Sequence, residues 1–440
     1  MDRERLTVQD RLRSLVERLT GVGGRSAAGP PALVALDVGT EFAKALVVAI
    51  GPDEEGRLVG TVRGSGRQRQ GLTHMQSGTV SDIDAVVANC SRALNEAREM
   101  AGLQATSAVI GIAGELVKGT TSNGAVRRED PHAPMTEPEL QQIVEQVQIE
   151  ALADAERRIA WESGVERLDV RLVHAAVVEL KIDGYPVSNP IGFTGAQLEL
   201  SVFNAFAPMV HLGALQSVAS QLGLKLLGVI AEPYAVATCL DPGELGDAGA
   251  VFVDIGGGTT DVALVRHGGI SGTKMLALGG RAFTKGLAER FALSFSRAEA
   301  LKLAAADGEL PEHLDRATLT EALAEDAAVW LGGVELMISD LAEGELLPGR
   351  VYLCGGGAEL PQIAAALDGD EWWHRLPFAR KPQVRPLSPA DVVGLQDASG
   401  QLATRQDVTP MALAHQALIL DASSSAAERA MRAAVRAMQL

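Results

Sequence analysis

Short apolar runs that end in glycine-rich turns set the rhythm of this chain. The first, Ala32-Leu-Val-Ala-Leu36, leads into Asp37-Val-Gly-Thr-Glu-Phe-Ala-Lys44, and the apolar run Ala45–Ile50 follows at once. Four to eight apolar residues bounded by turn signals read as buried strands, so this stretch predicts strand, tight turn, strand. The same unit returns at Ala250-Val-Phe-Val253, through Asp254-Ile-Gly-Gly-Gly-Thr-Thr-Asp261 to Val262–Arg266. A third run, Arg350–Cys354, enters Gly355-Gly-Gly357. Residues 82–101 are expected to be helical, capped by Asp82 or Ser81, and a short strand follows at Ala108–Ile112. Further helices are expected over 211–222, 232–240, 281–291, 296–306 and 318–341, with a strand at 224–230.

Between Ala113 and Gln197 the texture changes. Gly, Thr and Asn cluster at 119–124, and Thr136-Glu-Pro-Glu139 opens a long charged helix that reads as a solvated face around Glu145–Arg158. Two alternating strands near 171–182 and 196–206 flank the turn-rich stretch 183–195. This reads as a small α+β insertion. The expected division is 1–31 as an amphipathic helix and linker, 32–112 as the first part of a first lobe, and 113–197 as the inserted subdomain. Residues 198–249 complete the first lobe, 250–422 form a second lobe, and 423–440 a final amphipathic helix.

The composition narrows the chemistry. Only 4% of the 440 residues are aromatic and the net charge is −17, so neither stacking platforms nor a basic surface speaks for nucleic acid. The charge is uneven: residues 1–25 and 426–440 each carry +2, which leaves −21 between them. Cys90, Cys239 and Cys354 follow no CxxC spacing and read as reduced, buried thiols in a cytoplasmic protein. His174 and His211 read as structural, and Trp372-Trp373 as a packed loop anchor. No apolar run is long enough for a transmembrane helix.

A carboxylate at the end of a buried strand, followed by small residues, suits a magnesium–phosphate group. Glycines let backbone N–H groups approach an anion, threonine hydroxyls add donors, and the aspartate orients metal-bound water. Two copies about half a chain apart point to two duplicated lobes closing on one nucleotide. The three glycines at 355–357 would let backbone lie flat against a nucleoside.

The order Asp37-x-Gly-Thr40, Glu232-Pro, Asp254-Ile-Gly-Gly-Gly-Thr-Thr-Asp261 and Gly355-Gly-Gly-Ala358 resembles the actin-like ATPase superfamily. The resemblance implies an α/β, two-lobed fold with ATP and magnesium in its cleft. It implies that Asp37 and Asp254 face magnesium through water and that Gly39, Thr40, Gly256, Gly257, Gly258 and Thr259 hold phosphates, with Lys44 reaching one. It further implies that Glu232 orients the attacking water, that Glu299 and Lys302 contact adenine and ribose, and that Gly355, Gly356 and Gly357 meet the adenosine. Glu232 and Asp254 are thus the catalytic candidates for slow hydrolysis.

Within the superfamily the small subdomain inserted in the first lobe is similar to that of the FtsA cell-division family. Thr121-Ser-Asn-Gly124, Ile182-Asp-Gly184, Asn189-Pro-Ile-Gly192 and Glu232-Pro-Tyr-Ala235 carry this likeness. It implies self-association, an FtsZ-type or membrane-protein partner, and a scaffold role. The stretch between Lys302 and the helix near Thr318 is short, a reduced upper subdomain in the second lobe, where FtsA receives the tail of FtsZ. That reduction and the spacing of Lys44 resemble the PilM family of type IV pilus assembly, the alternative reading. A small-molecule kinase of the same superfamily is a third, with no candidate base in a substrate-binding insertion.

The ends bear on location. Leu6, Leu12, Leu15 and Leu19 give residues 3–19 an apolar face, and Met431, Ala434, Val435 and Met438 give one to the last helix, with Arg429, Arg432 and Arg436 on another. Each helix is expected either to lie on an anionic membrane surface, on the inner face of the cell membrane, or to pack on the body.

Overall fold

The computed structural model describes residues 30–53, 58–164, 168–246, 248–308, 316–420 and 426–439. The expected helix at 3–19 and its linker lie outside the described residues. The chain folds as strands β1 (Ala32–Val38), β2 (Phe42–Pro52) and β3 (Leu58–Arg69), helix α1 (Ile83–Ala101), then β4 (Ser107–Ile112) and β5 (Lys118–Arg127). Next come α2 (Glu137–Ser163), β6 (Val170–Ile182), β7 (Gln197–Pro208), α3 (Met209–Gln221), β8 (Lys225–Ala231), α4 (Glu232–Ala237) and α5 (Pro242–Leu245). The remainder is β9 (Ala250–Ile255), β10 (Thr260–Arg266), β11 (Gly269–Leu276), α6 (Gly280–Arg290), α7 (Phe295–Ala306), α8 (Arg316–Ala342) and β12 (Arg350–Cys354). It closes with α9 (Pro361–Asp368), α10 (Glu371–His374), β13 (Gln383–Pro386), β14 (Leu395–Asp397), α11 (Val408–Ile419) and α12 (Ala426–Gln439).

The strands form two large sheets with the same inner arrangement. One runs β8-β4-β1-β2-β3-β14; the other contains β13-β12-β9-β10-β11. In each, the strand that ends in aspartate pairs antiparallel with its successor (β1 with β2, β9 with β10) and parallel with a later strand (β1 with β4, β9 with β12). The two halves are therefore structural duplicates. Helix α11 and the short α4 lie between them, and one apolar core joins both: Leu33, Leu46 and Val48 from the first sheet, Phe252, Ala263 and Val265 from the second, and Met411, Leu413 and Leu418 from α11. The outer faces are closed separately, by α1 and α3 on the first sheet and by α6 to α10 on the second.

Several elements escape a hydrophobic-pattern reading. Strand β3, Leu58-Val-Gly-Thr-Val-Arg-Gly-Ser-Gly-Arg-Gln-Arg69, carries glycines where an apolar face is expected. A Cβ on Gly64 or Gly66 would run into the carbonyls of Ala97 and Ala93, so the bare backbone is what lets α1 lie directly on the strand. Strand β5 contains the Gly119–Gly124 cluster that resembles a loop. Gly124 is packed beneath Val147 of α2, again leaving no room for a side chain.

Strands β5 and β6 and helix α2 fall in the stretch expected to be an insertion, they share a sheet with β7, which runs on past its expected end at 197, and that sheet is not isolated. Strand β5 pairs with β11 at Thr120 and Gly272, making one nine-stranded sheet that ends in the short strand Tyr185–Pro186. Thr121 Oγ1 donates to the Ile270 carbonyl across the same seam. Within the insertion, Thr136 caps α2 and Asp183 accepts from the Ala196 and Gln197 amides, fixing the hairpin between β6 and β7. Helix α2 is less solvated than its charge suggests: Val147, Gln148, Ala151, Ala155 and Ile159 are buried.

The last helix packs on the body. On α12, Ala427, Met431 and Ala434 are buried against α2 and β6, and Val435 and Met438 are half-buried there. Arg429 pairs with Glu137, Arg432 Nη1 donates to the Leu420 carbonyl (3.0 Å), and Gln439 donates to Val173 (3.0 Å). The apolar face that a membrane would take is here part of the core of the insertion. Trp372 is likewise packed, its Nε1 donating to the Leu367 carbonyl, and all three cysteines are buried and free. His174 and His211 are buried, and desolvation holds both at about 4, so each is neutral in the fold. Met431→Ala should cost about 2 kcal/mol of stability in urea unfolding and raise hydrogen exchange throughout 426–439; an unchanged midpoint with a helix already exchanging freely would rule out this packing.

Candidate functional site

The two duplicated hairpins put charged groups at matching positions. Asp37 faces Lys44 across β1 and β2, and Asp254 faces Asp261 across β9 and β10. Both turns open into one cavity of about 600 Å³ between the halves. Its lining contains Asp37, Gly39, Thr40, Lys44, Glu232, Asp254, Gly256, Gly257, Thr259, Glu299, Lys302, Gly355, Gly356 and Gly357. Of the residues singled out in the sequence, Gly258 alone is not in that lining. It is tucked against Thr40, where a Cβ would meet Thr40 Cγ2 at 2.8 Å, and so it sets how closely the two turns approach.

The floor of the cavity is acidic. Lys44 Nζ sits 3.1 Å from Asp37 Oδ2 and donates to the Gln406 carbonyl at 2.6 Å. Asp254 Oδ2 accepts from Thr409 of α11 at 2.6 Å, and Asp261 accepts from Thr259 at 3.3 Å. Glu232, at the start of α4, completes the group. Four carboxyls thus gather at the floor of the cavity with one lysine among them. Burial, then the charges of Asp37, Asp261 and Asp254, hold Glu232 well above the usual carboxylate range, with Lys44 opposing. Burial and the neighbouring Asp254 push Asp261 up to about 8. Asp254 is also raised by burial, against the hydrogen bond from Thr409.

The opposite wall belongs to the second half. Lys302 Nζ lies 2.9 Å from each of Glu299 Oε2, the Gly280 carbonyl and Thr284 Oγ1. Against the cost of burial, Lys302 and Thr284 hold the Glu299 carboxyl below its usual range. Leu303 and Ala306, one turn on, and Leu360 add an apolar shelf. Gly355 has φ +82, and the place of its missing Cβ is taken by Asp254 Oδ1 and the Ile255 carbonyl, so this turn accepts glycine alone.

Some lining residues carry no strong signal in the sequence. Asp261 closes the DIGGGTTD motif itself, and its pairing opposite Asp254 follows from the hairpin. Thr409 and Gln406 come from the distant start of α11, and only the fold brings them here. Glu41 and Arg281 face each other across the cleft: Arg281 Nε is 2.8 Å from Glu41 Oε2, and its Nη2 donates to the Thr40 carbonyl at 2.8 Å. The double glycine before Arg281 is the available clue.

Comparison with known proteins meets this geometry from two sides. The family model described as "Cell division protein FtsA" matches residues 251–399. The FtsA of Pseudomonas aeruginosa is 27% identical over 349 residues, covering 74% of this chain and 78% of the relative. That of Escherichia coli K12 is 27% identical over 396 residues, covering 83% and 86%, and that of Streptococcus pneumoniae is 24% identical, covering 83% and 80%. Among solved structures, a PilM–PilN type IV pilus biogenesis complex superposes with a TM-score of 0.63 at 18% identity, covering 88% of this chain and 98% of the other. The chain shares its fold with the PilM structure and is similar in sequence to FtsA.

In this FtsA-like chain, the family match spans the Asp254 turn, the wall from Gly280 to Lys302 and the Gly355 turn. The raised carboxyls give a direct test. A buried acid whose pKa rises from 3.8 to about 8 contributes stability that is complete below its unfolded value and is lost as the pH climbs through 8. Asp261→Asn should therefore stabilise the protein by on the order of 2 kcal/mol at pH 8 and leave it close to wild type at pH 4. Melting both proteins at the two pH values checks this; a variant no more stable at pH 8 than at pH 4, relative to wild type, would contradict the placement of Asp261.

Proposed function

We propose that this chain is an FtsA-type protein that binds ATP with magnesium between its two halves and acts in cell division as an assembling, membrane-linked scaffold. The observation that carries the nucleotide reading is the convergence of both Asp–Gly turns, the Glu299–Lys302 wall and the Gly355 turn on one cavity. The cell-division role rests on the likeness to FtsA over about four-fifths of the chain.

The residues fit a magnesium nucleotide. Four buried carboxyls around one lysine call for a cation. Among the described residues no group of His, Cys, Asp and Glu side chains is arranged to hold a metal ion by itself. Asp37 and Asp254 would therefore hold magnesium through water, with phosphate oxygens completing its shell. When bound, magnesium supplies charge neutralisation of the phosphates. The protein contributes the rest. Gly39, Gly256, Gly257 and Thr259 offer backbone close to the phosphates, and Thr40 and Thr259 offer hydroxyls. Lys44, already shared between Asp37 and Gln406, adds a positive charge. Glu232 stands where it can orient water; nearby cationic charge favours the ionised form it needs for that task. Hydrolysis on this reading is slow, and ATP serves chiefly to hold the two halves together.

The PilM reading rests on a likeness of fold, whereas FtsA proteins are matched in sequence, so the pilus role stands second. Asp254→Ala should weaken magnesium-dependent ATP binding at least 100-fold in calorimetry; unchanged binding would falsify the site. Glu232→Gln should keep binding and lower hydrolysis by about 100-fold. For the membrane link, full-length protein with ATP should co-sediment with anionic liposomes, and removal of 1–25 or 424–440 should reduce pelleting. If full-length protein never pellets, the tether reading fails while the nucleotide site stands.

A further inference from the structure

Arg281 ties the two phosphate turns to each other by both backbone and side chain. Its N–H donates to the Gly257 carbonyl at 2.8 Å, which fixes the second turn. Its guanidinium crosses the cleft, with Nη2 on the Thr40 carbonyl at 2.8 Å and Nε on Glu41 at 2.8 Å. The third corner is weakly engaged: Nη1 is 3.5 Å from the Leu72 carbonyl. Between the turns there is little spare room. A Cβ on Gly257 would meet Glu41 Cβ at 2.7 Å, as one on Gly258 would meet Thr40. The last phosphate of a nucleotide held by both turns must lie at this seam, beside a guanidinium that lines the cavity.

Glu41 does not depend on Arg281. Its other oxygen is held by Arg69, at 2.6 Å from Nη2 and 2.7 Å from Nε. Arg69 also approaches Glu299 at 3.7 Å, so charges alternate across the mouth of the cleft from Arg281 to Glu41, Arg69, Glu299 and Lys302. If Arg281 leaves Glu41, the carboxylate keeps a cationic partner and no buried charge is stranded. Such an exchange is cheap on the protein's side, while a phosphate offers the fork a stronger, bidentate acceptor.

We propose that Arg281 distinguishes a nucleoside triphosphate from a diphosphate in this cleft, exchanging its bond to Glu41 for one to the terminal phosphate. The proposal rests on the nucleotide reading and adds to it a residue that the Asp–Gly motifs do not contain. A diphosphate does not reach the seam, so Arg281 stays on Glu41 and the two turns remain bridged by that ion pair and by its bond to the Thr40 carbonyl. A triphosphate recruits Arg281 from the second half onto a group already held by the first.

The test measures magnesium-dependent ATP and ADP affinities of wild type, Arg281→Ala, Arg281→Lys and Glu41→Gln by calorimetry, with melting curves to verify folding. Arg281→Ala should weaken ATP binding tenfold or more and leave ADP within about twofold, consistent with loss of a charge-assisted bond. Arg281→Lys should fall between, since it keeps the charge and loses the fork. Glu41→Gln should behave oppositely, leaving ATP affinity equal or higher, because Arg281 is no longer held back. If Arg281→Ala and Glu41→Gln weaken ATP and ADP in parallel, the pair merely braces the cleft and the proposal is wrong. Equal wild-type affinity for the two nucleotides overturns it while leaving the nucleotide reading intact; wild type that binds neither removes both.

Discussion

Four carboxyl groups buried around one lysine, at the meeting point of two duplicated hairpins, are the constraint on which this architecture turns. Such a cluster is expensive in an apolar setting, and the protein offsets part of the cost with fixed donors: Thr409 on Asp254, Thr259 on Asp261 and Lys44 on Asp37. What these do not offset is met by raised proton affinity, which leaves Asp261 and Glu232 ready to give up protons when positive charge arrives. The site thus stores unfavourable electrostatics between two halves that share a continuous core. A ligand that brings cationic charge relieves it from both sides at once, because Asp37 and Lys44 come from one half and Asp254 and Asp261 from the other.

The duplication also determines what the site can be built from. Because β1/β2 and β9/β10 repeat one another, the residue opposite each strand-end aspartate is in register, yet the two copies diverge: lysine in the first, a second aspartate in the second. The first pair is therefore charge-compensated within itself, and the second concentrates acid. Helix α11 reads both, with the Gln406 carbonyl just before it on Lys44 and Thr409 on Asp254. Since α11 also packs its apolar side into the core joining the halves, one element both joins the halves and carries residues that set the polarity of the cleft.

How much of this was legible in the sequence follows from the same physics. The Asp–Gly turns were readable because buried strands are apolar and their ends must be glycine-rich to admit a ligand, and these two signals coincide at Asp37 and Asp254. Strands β3 and β5 were not, because what suits them to their place is the absence of side chains: Gly64, Gly66 and Gly124 make room for helices that approach only in three dimensions. Thr409 and Arg281 illustrate a second limit. Their roles depend on partners 155 to 241 positions away, on Asp254 and on Thr40 and Glu41, and no local pattern carries that information.

The last helix shows how composition can point correctly to amphipathicity and still leave its partner open. Its apolar face is made of alanines with Met431, Val435 and Met438, and has none of the bulky aromatic surface that holds a helix at a lipid interface. In the fold that face lies on α2 and β6, and Gln148 is sealed beneath it, its Nε2 on Met431 Sδ and its Oε1 without a partner. A buried carbonyl left unpaired costs about 1–3 kcal/mol, which weakens the seat it occupies. The same arginines that favour an anionic surface are engaged with the body, Arg429 with Glu137 and Arg432 with the Leu420 carbonyl. A bilayer must therefore compete for both faces of this helix at once. Any membrane link made by this end of the chain is thus an exchange against the inserted subdomain, not the docking of a free tail, and its strength is the difference between two modest affinities.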